Sequence, residues 1–553
     1  MRATGDHFVV GERPFRFVGA NLTALQGERE RARFRETLHA LAADGLTVGR
    51  VWIVGEGPPD ADEWFRRDHL FRAGPDGWIE ASYQQLDRVL AEARAQGVRL
   101  ILTLGNHWSD FGGVPAYLHW AGLPVEGAAR DAFYSDERTR AWYRAGLDRL
   151  LQRTNSVTGL RYIDDPTIFA WELLNESEVA TPDGAEARRR WIVEMARHVK
   201  TVDKNHMVAP GLIGYVTRAE RAEWVRVHRL AEVDYCDSHL YPQTSDSVPS
   251  WQRLADLVDD RAQLARFVIG KPLVIGEFGF HTLPGERRWL GRPRAEWFAR
   301  FLERVFIDGG GGALAWIYQP WLGKRRDFGI YVDRPDTDDV RARLRGMARR
   351  VLEGIVGSNP RLGQGKGDRP LYDPMVSYRG NARVADRWRA RDGGERLLEI
   401  PVDDFASARF ESFGRWDRGV LFHVYGTGAG EVRYRFAIPP ALAGRALTLE
   451  ARLSSEWPGA SGPPGGGSLV VVSVDGHERA RIHTSTDDGT GRVETIDLGA
   501  LAAGVHTLVL AVPDDLDAHG LCVYGAPTGN PPVEGAAPVG ELGPLRLRAR
   551  SKP

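Results

Sequence analysis

Cysteine is almost missing from this chain: Cys236 and Cys522 are the two among 553 residues, and they lie in different regions. That excludes a disulfide framework and a cysteine-based zinc set, and leaves two buried, reduced thiols as the expectation. Net charge is nearly missing too, at −1 from 73 basic and 74 acidic residues. A polyelectrolyte partner such as nucleic acid is therefore not implied. Long apolar runs do not occur, so no membrane span is expected. The opening "MRATGDHFVVGERPFRFVGAN" has no apolar core of a signal peptide, which predicts a cytoplasmic protein, or a secreted one if a leader has been removed. Three chemical signatures are absent as well. No Gly-rich dinucleotide fingerprint follows the first strand, and neither H-E-x-x-H nor G-x-S-x-G is found. No cofactor and no metal is expected.

What is present is a rhythm. Short β-rich apolar runs recur at 15–21, 47–53, 99–106, 168–176, 206–212, 233–242, 272–279 and 312–320. Their continuous apolar character is that of parallel strands buried on both faces. Helical stripes separate them. Tyr83, Leu86, Val89, Leu90 and Ala93 share one face, and Trp191, Ile192, Met195 and Val199 another, the second with Thr181 as cap and Pro182 in its first turn. Eight strands alternating with helices over about 350 residues predict an α/β (β/α)8 barrel. After Val356 the texture changes. A Gly- and Pro-rich stretch is followed by runs alternating in period two, with Asp475-Gly476 as a hairpin turn and "GTGAG" (426–430) as a turn between strands. The expected division is a barrel over 1–356, a connecting segment over 357–385, and an all-β, jelly-roll-like sandwich over 386–553. Trp416 and Trp457 in the last part suit either carbohydrate binding or an interface core.

A barrel keeps its site at the C-terminal ends of its strands. Collecting the polar residues there gives Arg50 from strand two, Asn106, His107 and Trp108 from strand three, and Asn175 and Glu176 from strand four. His239 and Tyr241 come from strand six, Glu277 from strand seven and Trp316 from strand eight. Two carboxyls facing one cavity are what glycoside cleavage needs, one to protonate the leaving oxygen and one to attack or to activate water. At roughly 5 Å separation the second is a nucleophile and configuration is retained. Arg50 is expected to hold Glu277 ionised, and proximity of the two acids to raise the proton donor.

The phrases "WELLNES" and "GEFGF", with "NHWSDFGGVPAYLHWAG" and "DDPTIFAWELLNE", resemble glycoside hydrolase clan A, family five, and most of all its β-mannanases, over most of residues 8–350. The resemblance implies that Glu176 is the acid/base and Glu277 the nucleophile. It further implies that Asn175 holds the 2-hydroxyl, that Tyr241 and Arg50 bond the nucleophile, that His239 contacts the acid/base, and that Trp316 stacks under the cleaved sugar. The implied substrate is a β-1,4-linked mannan or manno-oligosaccharide. An exo-acting β-mannosidase or a β-glucosidase or β-glucanase of the same mechanism, and a non-catalytic carbohydrate-binding barrel, stand as alternatives. One departure is visible: Ser177 stands where the family motif has Pro, and Glu178 adds a third carboxylate. Trp171, inside a strand, reads as packing, and Trp108 and Trp321 as either packing or site.

Overall fold

The computed structural model describes residues 1–22, 28–53, 55–57, 70–215, 218–241, 251–280, 288–289, 292–319, 328–332, 337–358, 376–380, 383–418, 421–455, 467–484, 491–513, 520–525 and 545–550. Trp321 and Trp457 lie outside them, as does the side chain of Trp416.

Three short antiparallel strands come first, β1 (Arg2–Thr4), β2 (His7–Val10) and β3 (Arg13–Phe15). The barrel follows: β4 (Phe17–Asn21), β5 (Val48–Trp52), β6 (Arg99–Thr103), β7 (Ile168–Glu172), β8 (Met207–Ala209), β9 (Cys236–Leu240), β10 (Leu273–Phe278) and β11 (Gly312–Ala315). They pair in parallel in the order β8-β7-β6-β5-β4-β11-β10-β9. Every residue of these strands is buried except Arg99, at a strand start, as a sheet closed on itself and wrapped in helices requires. Among the described residues there is no ladder between β8 and β9. The ring closes instead through two backbone bonds, Asp234 N–H to Val208 O (2.9 Å) and His239 N–H to Ile213 O (2.8 Å). Aspartates finish the join: Asp237 accepts from Gly211 N (2.7 Å) and Leu212 N (3.0 Å), and Asp234 from Val208 N (2.7 Å).

The helices bear out their stripes. Helix α1 (Glu80–Ala95) buries Tyr83, Leu86, Val89, Leu90 and Ala93, and helix α2 (Pro182–Val202) buries Trp191, Ile192, Met195 and Val199. Thr181 Oγ accepts from Gly184 N at 2.9 Å, capping the helix that Pro182 opens. The N-terminal end of the barrel is stopped with aromatics. Phe8, from β2, packs edge-on to Phe169 (5.3 Å between ring centres) and Tyr235 (5.6 Å) inside it. With that end filled, the polar residues collect at the other.

The C-terminal region is antiparallel β structure of sandwich type around its own apolar core, which includes Phe410, Tyr434, Leu449, Val472, Leu510 and Leu547. Strand Leu469–Val474 alternates partly buried and buried residues, and Asp475-Gly476, both at positive φ, make the hairpin turn to His477–His483. Two readings need correction. The β region starts earlier than 386, because Val376–Arg379 pairs with Ser407–Arg418. Four residues were too few to show an alternation. "GTGAG" is not a turn but part of one long strand, Leu421–Ile438. A Cβ at Gly426 or Gly430 would lie 2.3 Å from the Phe410 ring. The glycines make room for a core aromatic where the opposing strand shifts register between Phe410 and Ser412. Both cysteines are buried and neither is in a disulfide among the described residues, and among those residues no helix is long and apolar enough to cross a membrane.

Candidate active site

Arg50 points from β5 into the barrel and is fully buried. Its Nη1 donates to Asn21 Oδ1 on β4 (2.9 Å) and Glu277 Oε1 on β10 (2.6 Å). Its Nη2 donates to Glu172 Oε1 on β7 (2.6 Å) and Asn175 Oδ1 just beyond (2.7 Å), and its Nε reaches both Glu172 oxygens at 3.1 Å. Only a planar guanidinium fork offers donors in so many directions. Asn21, Glu172 and Thr103, which donates to Glu172 Oε1 at 3.2 Å, did not stand out in the sequence. Glu172 sits between Trp171 and Leu173 in an apolar run, and no local pattern marks it as the second partner of Arg50. Trp171 is packing, as read: it is fully buried and its Nε1 donates to Asp203 (2.8 Å).

The two expected glutamates meet. Tyr241 Oη donates to Glu277 Oε2 at 2.6 Å, so both oxygens of this carboxyl are occupied. Glu277 pairs with His239 across a register shift at Ile275/Glu277, and a Cβ on Gly276 would lie 2.9 Å from His239 Nε2. The first glycine of "GEFGF" thus clears space for the imidazole. His239 Nδ1 stands 2.7 Å from Glu176 Oε1 and 3.6 Å from Glu277 Oε2. Trp108 Nε1 donates to Glu176 Oε2 at 2.6 Å. One oxygen of each catalytic candidate and a nitrogen of His239 lie within 4.8 Å of one another. Such a trio could ligate a cation, but the guanidinium 2.6 Å from Glu277 and the indole N–H on Glu176 already fill the sites a metal would take.

Glu176 holds a left-handed backbone, φ +50, which costs a non-glycine residue about 1–2 kcal/mol. Asn175 before it is locked, Oδ1 on Arg50 and Nδ2 on Asn106 Oδ1 (2.9 Å), leaving one amide hydrogen to offer. Asn106 also accepts from Trp108 N (3.3 Å), which shapes the turn carrying the indole. His107 is buried beside them, its Nε2 3.5 Å from Arg130. Burial and the charge of Arg130 push its pKa down to about 3, so it is neutral. Trp316 lies at the end of β11 with its ring 5.8 Å from Trp52, which in turn packs on Phe111 (5.7 Å). Trp52 and Phe111 extend the aromatic wall beyond what sequence reasoning picked out.

The electrostatics reverse one expectation. Burial raises both carboxyls. For Glu277, burial and the nearby Glu176 outweigh His239, Arg50 and Tyr241, and its pKa stands above the ordinary range. For Glu176, the hydrogen bond and charge of His239, with Trp108 and Arg50, outweigh burial and hold it below. His239 is raised, burial being overcome by Glu277 and Glu176. His239 at 2.7 Å from Glu176, the contact that the resemblance implied, is the cause of the inversion.

Ser177 explains its own presence. Its N–H, which Pro would lack, donates to Gly211 O at 2.9 Å and ties the end of β7 to the loop after β8. Its hydroxyl is buried with no partner among the described residues. We therefore expect Ser177→Ala to be neutral or to stabilise by up to about 1 kcal/mol, and Ser177→Pro to cost about 1 kcal/mol or more. Urea unfolding of the three proteins checks this, and a Pro variant as stable as Ala would refute the role of the N–H.

The sequence profile described as "GH family 5 beta-mannosidase-like" matches residues 1–284. Mannan endo-1,4-beta-mannosidase 7 of Oryza sativa subsp. japonica is 30% identical over 372 residues, which are 60% of this chain and 93% of that protein. Mannan endo-1,4-beta-mannosidase 5 of Solanum lycopersicum is 30% identical over 344 residues, 57% of this chain and 80% of that one. Among solved structures, the endo-1,4-beta-D-mannanase of Thermotoga petrophila RKU-1 superposes with a TM-score of 0.52 at 26% identity, over 61% of this chain and 99% of that chain. With the barrel and its paired glutamates, these findings make the chain a glycoside hydrolase, a member of the β-mannosidase-like group of family five.

Proposed function

We propose that the protein hydrolyses β-1,4-linked mannan or manno-oligosaccharides with retention of configuration, Glu277 as nucleophile and Glu176 as acid/base. The carrying observation is the carboxylate spacing, oxygens within 4.8 Å, which suits a covalent glycosyl-enzyme and is too short for a water between acid and sugar. The partners support the assignment of roles. Glu277 faces Arg50, which can only donate, and Tyr241. It is dressed as an anion and aimed by two strands. On Glu176, Trp108 occupies Oε2 as an obligate donor, so a proton belongs on Oε1, where neutral His239 Nδ1 can accept it. Three carboxyls, Glu172 and Glu277 buried and Glu176 partly so, face one guanidinium and one imidazole. That balance keeps one proton in the cluster. Where His239 is neutral, Glu176 loses what lowers it and keeps its proton for the leaving oxygen.

In the first step Glu277 attacks the anomeric carbon while Glu176 protonates the departing oxygen. In the second Glu176 takes a proton from water, which displaces Glu277. The remaining amide hydrogen of Asn175 serves the 2-hydroxyl, and Trp316 with Trp52 offers an apolar floor. The mannan assignment is supported by the 30% identical mannosidases of rice and tomato. Proton NMR of the first product formed from mannohexaose, run beside cellohexaose and xylohexaose, tests both points. The β-anomer should appear first and from the mannose oligomer alone. Initial α-anomer would overturn retention, and faster cleavage of the glucose or xylose oligomer would overturn the substrate.

A further inference from the structure

We propose that Glu56, a buried glutamate outside the catalytic cluster, is a positioning residue for the acid/base, holding the loop that brings the Trp108 indole to Glu176. The role rests on the reading of Glu176 as proton donor. The loop runs from Asn106, beyond β6, to the helix Gly113–Trp120. It turns through three successive residues at positive φ, Phe111 (+59), Gly112 (+97) and Gly113 (+57). A left-handed phenylalanine does not keep that shape unaided. One end is tied by Asn106, whose Oδ1 accepts from Trp108 N, whose Nδ2 donates to Asp110 O (3.0 Å) and whose carbonyl accepts from Val114 N (2.7 Å). The other end is tied by Glu56. Its N–H donates to Phe111 O (2.9 Å), and its Oε2 accepts from Gly113 N and Gly55 N, each at 3.2 Å.

A helix start leaves N–H groups without partners inside the helix. Here Gly112, at the N-cap, has no side chain to offer, and Pro115 has no N–H. Gly113 N goes to Glu56 and Val114 N to Asn106. Glu56 thus acts as the cap from another loop, its carboxylate at the positive end of the helix. The fit leaves no slack. A Cβ on Gly112 would lie 1.8 Å from Glu56 O, and one on Gly113 2.3 Å from Trp108 O. Glu56 is itself anchored: Gly55 O accepts from Phe71 N (2.8 Å) and Arg72 N (2.9 Å), and Arg72 Nη1 donates to Trp142 O (2.7 Å). The loop so held carries two groups of the site, the indole that donates to Glu176 Oε2 and the Phe111 ring that packs on Trp52. Glu56 is 5% exposed, and no step of the mechanism uses it. Burial raises its pKa to about 7, against the pull of the Gly55 and Gly113 N–H groups and of Arg72. Glu56→Gln therefore keeps an acceptor and reproduces the neutral form.

The Trp108 N–H favours the ionised form of Glu176, so losing it should let the acid keep its proton to higher pH. In Trp108→Phe the alkaline limb of kcat/KM on mannohexaose should move up by about one pH unit. Glu56→Ala should move it the same way by about half a unit or more, and the double variant no further than Trp108→Phe alone. Glu56→Gln should leave the limb where wild type has it. Should the Ala variant fail to fold, Glu56→Asp, one methylene short of Gly113 N, makes the same comparison. The Trp108 indole N–H resonance in proton–nitrogen correlation spectra, identified by its loss in Trp108→Phe, gives a second readout free of turnover. It should move upfield in Glu56→Ala and hold its place in Glu56→Gln. An unmoved limb or resonance in Ala or Asp, shifts that add in the double variant, or a Gln variant that shifts as far as Ala, overturns the inference. Wild-type protein inactive on mannohexaose overturns the proposed function instead, and the resonance still decides the role of Glu56.

Discussion

Glu277→Ala should lose activity by a factor on the order of 10⁴ or more on mannohexaose, and azide should bring part of it back. The rescued product from a β-mannoside should be the α-mannosyl azide. With the nucleophile gone, azide occupies its space and displaces the leaving group directly, inverting the centre, while Glu176 still supplies the proton. Glu176→Ala should behave differently. Its mannosyl-enzyme can form from a substrate with a good leaving group and then waits for a base to activate water. Azide needs no base, attacks that intermediate, and gives the β-azide. The stereochemistry of the two azides therefore assigns the two glutamates independently of any pKa. Azides of the opposite configurations would exchange the roles, and near-wild-type turnover in both variants would end the two-carboxylate mechanism for this chain.

Arg50→Met is expected to have the largest effect on stability. Arg50 is fully buried and faces two buried carboxylates, Glu172 and Glu277, each at 2.6 Å. Removing the cation leaves both uncompensated, a loss of about 3–5 kcal/mol. The pH dependence has a definite sign. Arg50 lowers Glu277, so without it a carboxyl already above its ordinary value rises further. A carboxyl raised in the folded state favours folding most at low pH, and that advantage is lost as pH climbs from the unfolded value, about 4.3, through the folded one. The stability gap between wild type and Arg50→Met should thus be wider at pH 8 than at pH 5. The nucleophile must be ionised to attack, so the acid limb of the rate profile should move to higher pH. Denaturant titrations at the two pH values, with a kcat/KM profile, check both. A gap that narrows with pH, or a limb that moves to lower pH, contradicts the assignment of Arg50 as the counter-charge of Glu277.

The barrel and the two glutamates could be read from the sequence because each depends on a local signal. Continuous apolar runs such as Ile168–Glu172 announce parallel strands. The rule that barrel sites gather at strand ends then selects Asn175, Glu176 and Glu277. What could not be read depends on contacts between residues far apart in the chain. Glu172 and Arg50 are 122 positions apart, and nothing in "AWELL" shows that its glutamate faces inward. His239 beside Glu176 was implied by the family resemblance alone, because its local run shows nothing of the shift at Gly276 that sets one strand end against its neighbour. The inverted electrostatics followed from that placement. In "GTGAG" the turn chemistry of glycine misled, because glycine also serves wherever an aromatic ring needs the space of a missing Cβ.

The join between β8 and β9 bears on motion. Seven neighbouring pairs of barrel strands are zipped by ladders, and this one is fastened by two backbone bonds and the carboxylates of Asp234 and Asp237. A clasp of that kind opens without unzipping a ladder, so local opening here would break fewer backbone bonds than at the seven laddered pairs. Both pieces it holds lead into the catalytic centre, Gly211 through Ser177 to Glu176 and β9 through His239 to the same carboxyl. The sparsely bonded join of the cylinder and the seat of its acid thus share residues, while Glu277 is braced separately by Arg50.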